Sequence, residues 1–330
     1  MDKAWKRILL AAVMGALLPR LVLSTTLWLT GRQTQTPEDP TATEQTGSDP
    51  SSPQIGENPI PVLMADGTLA MMDLEEYVIG VVLAEMPASF ETEALKAQAV
   101  VARSYALRRF TLRDRHPQGA VCTDSRCCQA YMTGEEYVQK LGNEAQRDKI
   151  IQAVRQTQGQ ILTYEGKVIE ATYFSCSGGR TEDAKAVWGA DVPYLQAVES
   201  PGEENAEAYW ERKTYTAAEF AAALGRKLSG APSSWMGAIT YTEGGGVATM
   251  YIGGMGYAGT ELRRLLGLNS TVFTVAVTGN TVTVETLGHG HRVGMSQYGA
   301  DAMAVTGQDY LQILQHYYPG TRIDKWEPMG

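Results

Sequence analysis

Glu85 is the residue whose neighbours suit it least. It closes the apolar run Val78, Ile79, Val81, Val82, Leu83 and Ala84, and Met86-Pro87 follows it. Proline disfavours α conformation in the residue before it and cannot continue a helix, so the stretch from Asp73 to Leu107 divides there into two helices. A carboxyl held against apolar neighbours has its charged form disfavoured, so its pKa rises and it can act as a general acid. The same pattern also describes an exposed glutamate at a helix end, and the local sequence leaves both readings open. A second candidate constellation follows Arg115, where Cys122, Cys127 and Cys128 cluster, with Cys176 apart. His116, Cys122 and Cys128 form HxxxxxCxxxxxC, and thiolates with imidazole are the ligand set that zinc prefers. A Cys122–Cys128 disulfide is the alternative in an exported protein. We favour zinc, with Cys127 too near Cys128 to ligate beside it and Cys176 either a fourth ligand or a free thiol. Lys96 and Arg103 are seven residues apart, hence on one helix face, which also describes a solvated cationic face. His289 and His291 alternate in GHGHRVG and could ligate or act as a base; His316 sits in an amphipathic stretch.

The elements that must position these residues follow from cap and turn signals. A strand pair spans Ile60 to Met71 and turns at Asp66-Gly67. The first helix starts at an Asp73 N-cap, with Glu75 and Glu76 as first-turn acids that suit the helix dipole and have no part in chemistry. The second runs from about Glu91 to Thr111, with Ser89 as its opening cap and Leu95, Ala99, Ala102 and Ala106 as a buried stripe. A helix over 133–157 precedes strands at Ile161–Tyr164 and Lys167–Phe174, joined by Glu165-Gly166. Between Ser200 and Glu285 come a helix over 216–228, strands over 238–242 and 247–252, a short helix over 260–266 and a hairpin turning at Gly279-Asn280. An amphipathic helix over 300–318 closes the chain. The expected class is α+β: a mixed helical/β catalytic core over 60–199 and 286–330, with a smaller inserted α+β lobe over 200–285.

Composition removes several classes. A net charge of −9 and a pI near 5.1 argue against a nucleic-acid partner, the one cationic cluster being Arg108, Arg109, Arg113 and Arg115. No phosphate loop occurs. At the N-terminus, a basic flank over 1–7 precedes apolar runs over 8–29, roughly the ~20 residues of a membrane span. The flank places the body outside the cytoplasm. Arg20 within the span costs ~2.5–3.5 kcal/mol on insertion scales; a cleaved signal peptide is the alternative, and we favour the anchor. Residues 30–59, poor in apolar side chains and rich in Thr, Pro, Ser and acids, read as a flexible tether.

Several blocks in order, LEEYVIGVVLAEMPASFETEALKAQAVVARSYAL, CQAY, YFSCSGGRTE, VPYLQAVESP and GHGHRVGMSQYGA, resemble the stage II sporulation protein D family of endospore-forming bacteria. The resemblance implies a peptidoglycan lytic transglycosylase acting during forespore engulfment, on the mother-cell membrane facing the forespore. It implies that Glu85 is the acid/base, that Arg103 belongs to the site with Lys96 beside it, and that Ser175, Ser177 and Thr181 lie in a polar active-site loop. Tyr173 and Gln297 are further substrate candidates. Some clostridial-type members are understood to carry zinc at the His116, Cys122, Cys128 pattern, and the GHGHRVG block is then a structural segment. Implied partners are glycan strands, stripped of stem peptides by an amidase, and the sporulation proteins P and M. The competing readings are a two-carboxylate muramidase using Glu85 and Glu182, since glycosidases usually need a pair of acids, and a non-catalytic glycan-binding or amidase-modifying protein.

Overall fold

The computed structural model describes residues 58–327, which form an α+β fold. The expected span over 8–29 and nearly all of the tether lie outside the described residues. Among those described, no helix is long and apolar enough to cross a membrane.

Strands β1 (Pro59–Leu63) and β2 (Leu69–Asp73) pair antiparallel across the Asp66-Gly67 turn. Asp73 then caps α1 (Leu74–Glu85), its carboxylate accepting from the amides of Glu75 and Glu76. This helix is buried along most of its length, through Tyr77, Val78, Val81 and Val82. Gly80 is required on its surface because a Cβ there would lie 2.2 Å from the Tyr131 ring. The chain turns extended at Met86, ahead of Pro87, and α2 (Thr92–Leu112) follows. Its N-cap is Glu91 rather than Ser89, with the Glu91 amide donating to Asp301 Oδ1 at 2.6 Å. Buried Ala94, Ala97, Ala99, Ala102 and Ala106 let neighbouring helices approach α2 closely.

β3 (Val121–Cys122) runs parallel to β1. The helix expected over 133–157 is two, α3 (Gly134–Lys140) and α4 (Glu144–Gln156), because Thr133 with Glu136 and Asn143 with Gln146 each build a complete capping box. β4 (Gln160–Tyr164) turns through Glu165 and Gly166, both at positive φ, into β5 (Lys167–Val168). The expected strand to Phe174 breaks after Val168 and resumes as β6 (Tyr173–Phe174). Asp183 caps the short α5 (Ala184–Trp188).

The next segment holds β7 (Trp210–Thr216), α6 (Ala217–Ala223), β8 (Met236–Tyr241), β9 (Val247–Ile252), β10 (Met255–Ala258), α7 (Gly259–Leu265), β11 (Val272–Thr278) and β12 (Thr281–Leu287). Its two antiparallel sheets, ordered β11-β12-β7 and β10-β9-β8, enclose a hydrophobic cluster of their own around Phe220, Leu262, Val282 and Val284. The chain returns through β13 (Met295–Ser296), parallel to β6. The helix expected over 300–318 is again two, α8 (Gln297–Val305) and α9 (Tyr310–Tyr317), parted at Gly307 (φ 93°) and restarted by an Asp309–Gln312 capping box. β14 (Arg322–Lys325) completes a sheet with β4 and β5. The larger cluster, with Val82, Leu95, Val154, Met295 and Ile313 among its members, lies between α1, α2, α4, α8 and α9.

Candidate active site

Glu85 sits where α1 ends, at the floor of a cleft of ≈ 590 Å³ that Tyr105, Tyr173, Trp188, His291 and Gln297 also line, a size usual for small-ligand sites of ~300–1,000 Å³. Its Oε1 accepts the Ala130 amide at 2.8 Å, and its backbone carbonyl accepts Gln297 Nε2 at 3.2 Å. Burial raises the Glu85 pKa above its ordinary 4.5, while the hydrogen bonds from Ala130, Tyr173 and Gln297 pull the other way without cancelling it. The β6–β13 pair delivers this company: Tyr173 lies in β6, and Gln297 directly follows Ser296 of β13. The Tyr173 hydroxyl also lies 3.2 Å from Gln129 Oε1, so its one proton serves either Gln129 or Glu85.

Other residues expected at the substrate lie elsewhere. Arg103 is fully buried, donating through Nε and Nη2 to both Glu75 oxygens at 2.8 and 2.6 Å and through Nη1 to the Gln160 carbonyl at 3.0 Å. It is a structural ion pair, and Glu75 is its partner. Lys96 is paired with Glu93 at 2.6 Å, over the Tyr310 ring. Ser177 is buried with its hydroxyl on Glu203 at 2.8 Å, and Thr181 is buried with its hydroxyl among the Gln196 carbonyl and the Val198 backbone. Ser175 alone of the three lines the cleft.

The expected second acid, Glu182, is 1% exposed and paired with Arg292 at 3.0 Å. Arg292 in turn donates to the carbonyls of Ser177, Arg180 and Gly244, so it joins the GHGHRVG block to the Ser175–Thr181 loop and to the inserted segment. The carboxyl that does share the cleft with Glu85 is Glu170, which is paired with Arg109. His291 lines the cleft too, but burial and then Arg263 lower its pKa to about 4, and its Nδ1 accepts the Val293 amide at 3.1 Å. It is a neutral ring wedged between Phe174 and Trp188, at 5.6 and 5.3 Å between centroids. His289 is exposed, its backbone paired antiparallel with that of Cys176, and His316 bonds the Glu199 carbonyl at 2.7 Å.

The thiol cluster forms a wall shared with the cleft. One ligand atom each from His116, Cys122, Cys127 and Cys128 lies within 4.8 Å of the others. Cys127 is therefore part of the set, contrary to the expectation from its adjacency to Cys128. The amides of both bond the Asp124 carbonyl, at 3.0 and 2.9 Å, in a tight turn that aims successive side chains the same way. Cys176 is not: its thiol bonds Glu203 at 3.2 Å, well inside the core. All four cysteines are unbridged.

A family model described as "Stage II sporulation protein" matches residues 67–164. Stage II sporulation protein D of Bacillus subtilis (strain 168) is 45% identical over 266 residues, covering 79% of this chain and 77% of the relative. The chain belongs to the stage II sporulation protein D family. The relative in Bacillus amyloliquefaciens is 40% identical over 283 residues, covering 83% of this chain and 82% of the relative. The amidase enhancer of Bacillus subtilis (strain 168) is 29% identical over 305 residues, covering 75% of this chain and 40% of the relative. The family match over 67–164 takes in Glu85 and the thiol cluster. Tyr173, His291 and Gln297 lie beyond it in sequence and reach the cleft through β6 and β13.

Proposed function

We propose that this family member is a lytic transglycosylase that cleaves peptidoglycan glycan strands between N-acetylmuramic acid and N-acetylglucosamine. The observation that carries it is the solitude of Glu85. Of the two carboxyls lining the cleft, Glu170 is tied to Arg109, and Glu182 is buried on Arg292 away from it. A glycosidase with a single competent carboxyl needs a nucleophile from its substrate. The neutral Glu85 protonates the glycosidic oxygen as the bond to muramoyl C1 breaks. The resulting carboxylate takes the proton of the muramoyl C6 hydroxyl as that oxygen closes onto C1, giving the 1,6-anhydro ring and restoring the acid. The Ala130 amide, Tyr173 and Gln297 hold the carboxyl through both states, favouring the ionised form enough for the proton to leave.

His116, Cys122, Cys127 and Cys128 fit zinc by donor type and proximity, three thiolates and one imidazole being a common structural set. Bound there, zinc would brace the loop that walls the cleft, and the acid/base steps above do not pass through it. The same reading places the body outside the cytoplasm, anchored by the N-terminal span on the mother-cell membrane, acting on amidase-stripped strands beside the sporulation proteins P and M. Digestion of purified glycan strands by the full-length protein, with mass spectrometry of the ends, tests the chemistry. Anhydromuramoyl ends that disappear in Glu85→Gln are the expected result. Reducing ends would mean hydrolysis. Intact strands with retained binding would favour the modifying role that the likeness to the amidase enhancer suggests.

A further inference from the structure

A muramoyl unit freed of its peptide carries a carboxylate, for which a cation is the matching partner, and the two cations expected at the substrate, Arg103 and Lys96, are committed elsewhere. Two other arginines line it: Arg115 and Arg126. They differ in what already holds them. Arg126 lies against Asp124, with Nε at 3.2 Å and Nη2 at 3.1 Å from its oxygens, so its fork is already taken by a carboxylate. Arg115 donates only Nη1, to the Cys127 carbonyl at 2.6 Å, and has no carboxylate partner among the described residues. That single bond fixes the guanidinium on the cleft wall while most of its donors stay available. The same cleft carries Trp188, 46% exposed and packed on His291, a flat apolar surface of the kind on which a sugar ring lies.

We propose that Arg115 is the residue that recognises the lactyl carboxylate of a muramoyl unit, and so lets the cleft distinguish stripped strands from peptide-bearing ones. The inference rests on the glycan-cleaving reading of the site. Removing a stem peptide turns the lactyl amide into a carboxylate. An arginine fork pairs with a carboxylate through two charge-assisted hydrogen bonds, and an amide offers one neutral acceptor. Arg115 thus adds affinity only where the peptide is gone.

The test uses the full chain carrying Glu85→Gln, so that ligands are not consumed. Calorimetry compares a peptide-free tetrasaccharide of alternating N-acetylglucosamine and N-acetylmuramic acid with the same molecule converted to its lactyl methylamides. The acid is expected to bind about 10- to 100-fold tighter, the span of one or two charged hydrogen bonds, with the preference shrinking as salt rises. Arg115→Gln is expected to erase the preference by weakening the acid alone, and Arg126→Gln to reduce it less. Equal binding of acid and amide by the arginine-intact protein, or equal weakening of both by Arg115→Gln, overturns the assignment. Should Arg115→Gln not fold, Arg115→Lys keeps the charge without the fork and must show an intermediate preference. Cleavage of strands is scored separately on the chain with Glu85 and Arg115 intact. A protein that prefers the acid yet cleaves nothing refutes the enzyme reading only, and one that cleaves without preference refutes this subsite only.

Discussion

Replacing Arg103 separates a structural role from a substrate role. Its guanidinium is wholly enclosed, and Glu75, with 14% of its side chain exposed, also accepts the Gly159 amide at 3.1 Å. Removing one partner of such a buried pair costs about 3–5 kcal/mol, because the survivor keeps its desolvation cost without its compensation. At ~2–4 °C per kcal/mol, the melting point of Arg103→Met falls by roughly 6–20 °C. The two partners are unequal. Arg103→Met leaves a carboxylate with some water and one amide donor, whereas Glu75→Met leaves a guanidinium with only the carbonyls of Gln160 and Ala99, at 3.0 and 3.4 Å. Glu75→Met is therefore the more damaging single change, and the double variant, which buries no charge, melts above both. Differential scanning calorimetry of the four proteins reads this cycle directly. A folded Arg103→Met with an unchanged melting point and lost glycan binding would refute the reasoning and return Arg103 to the substrate.

Two further outcomes follow from the site. Since burial raises the folded pKa of Glu85 above its ordinary 4.5, the carboxyl's contribution to stability is intact below the unfolded value and is lost as pH rises through the folded one. Glu85→Gln should therefore melt above the wild type at neutral pH, with the gap closing under about pH 4; a gap that does not change with pH argues against a raised pKa. At the thiol cluster, elemental analysis of protein purified without chelator should find zinc lost from Cys122→Ser and from Cys127→Ser but kept in Cys176→Ser, whose thiol faces Glu203. Equal zinc in all three would remove the metal reading.

What could be read from the sequence was what neighbours in sequence decide. Pro87 ends a helix wherever it stands, and Asp66-Gly67, Glu165-Gly166 and Gly279-Asn280 turn strands by their own backbone preferences, so α1, the β1–β2 pair and the β11–β12 hairpin lie where expected. The breaks at Asn143 and Asp309 were equally local, and the N-cap-to-Gln spacing of their capping boxes was there to be read. Partners far apart in sequence were not legible. Nothing near Arg103 announces Glu75 on the preceding helix, and nothing near Glu182 announces Arg292. A spacing of seven places Lys96 and Arg103 on one face without saying whether that face meets solvent, substrate or core. Trp188 and Arg115 were missed because an exposed aromatic and a loop arginine become a binding surface only once β6 and β13 have closed the cleft around Glu85.

The same long-range pairs fit a Glu85 whose pKa burial raises with no cation among the groups that pull it back. An arginine within ~4–6 Å would lower a carboxyl's pKa by about 1–3, and this part of the chain holds many arginines. Arg103 is spent on Glu75, Arg109 on Asp114 and Glu170, and Arg292 on Glu182. Of the acids in these pairs only Glu170 lines the cleft, and its pairing with Arg109 leaves Glu85 without a free competitor there. None of these arginines is among the groups that shift Glu85, which answers to burial first and then to neutral donors. Glu170→Gln leaves Arg109 on Asp114 and takes an anion from the cleft wall that Glu85 shares, and the lowered Glu85 pKa should carry the alkaline limb of the pH–rate profile to lower pH.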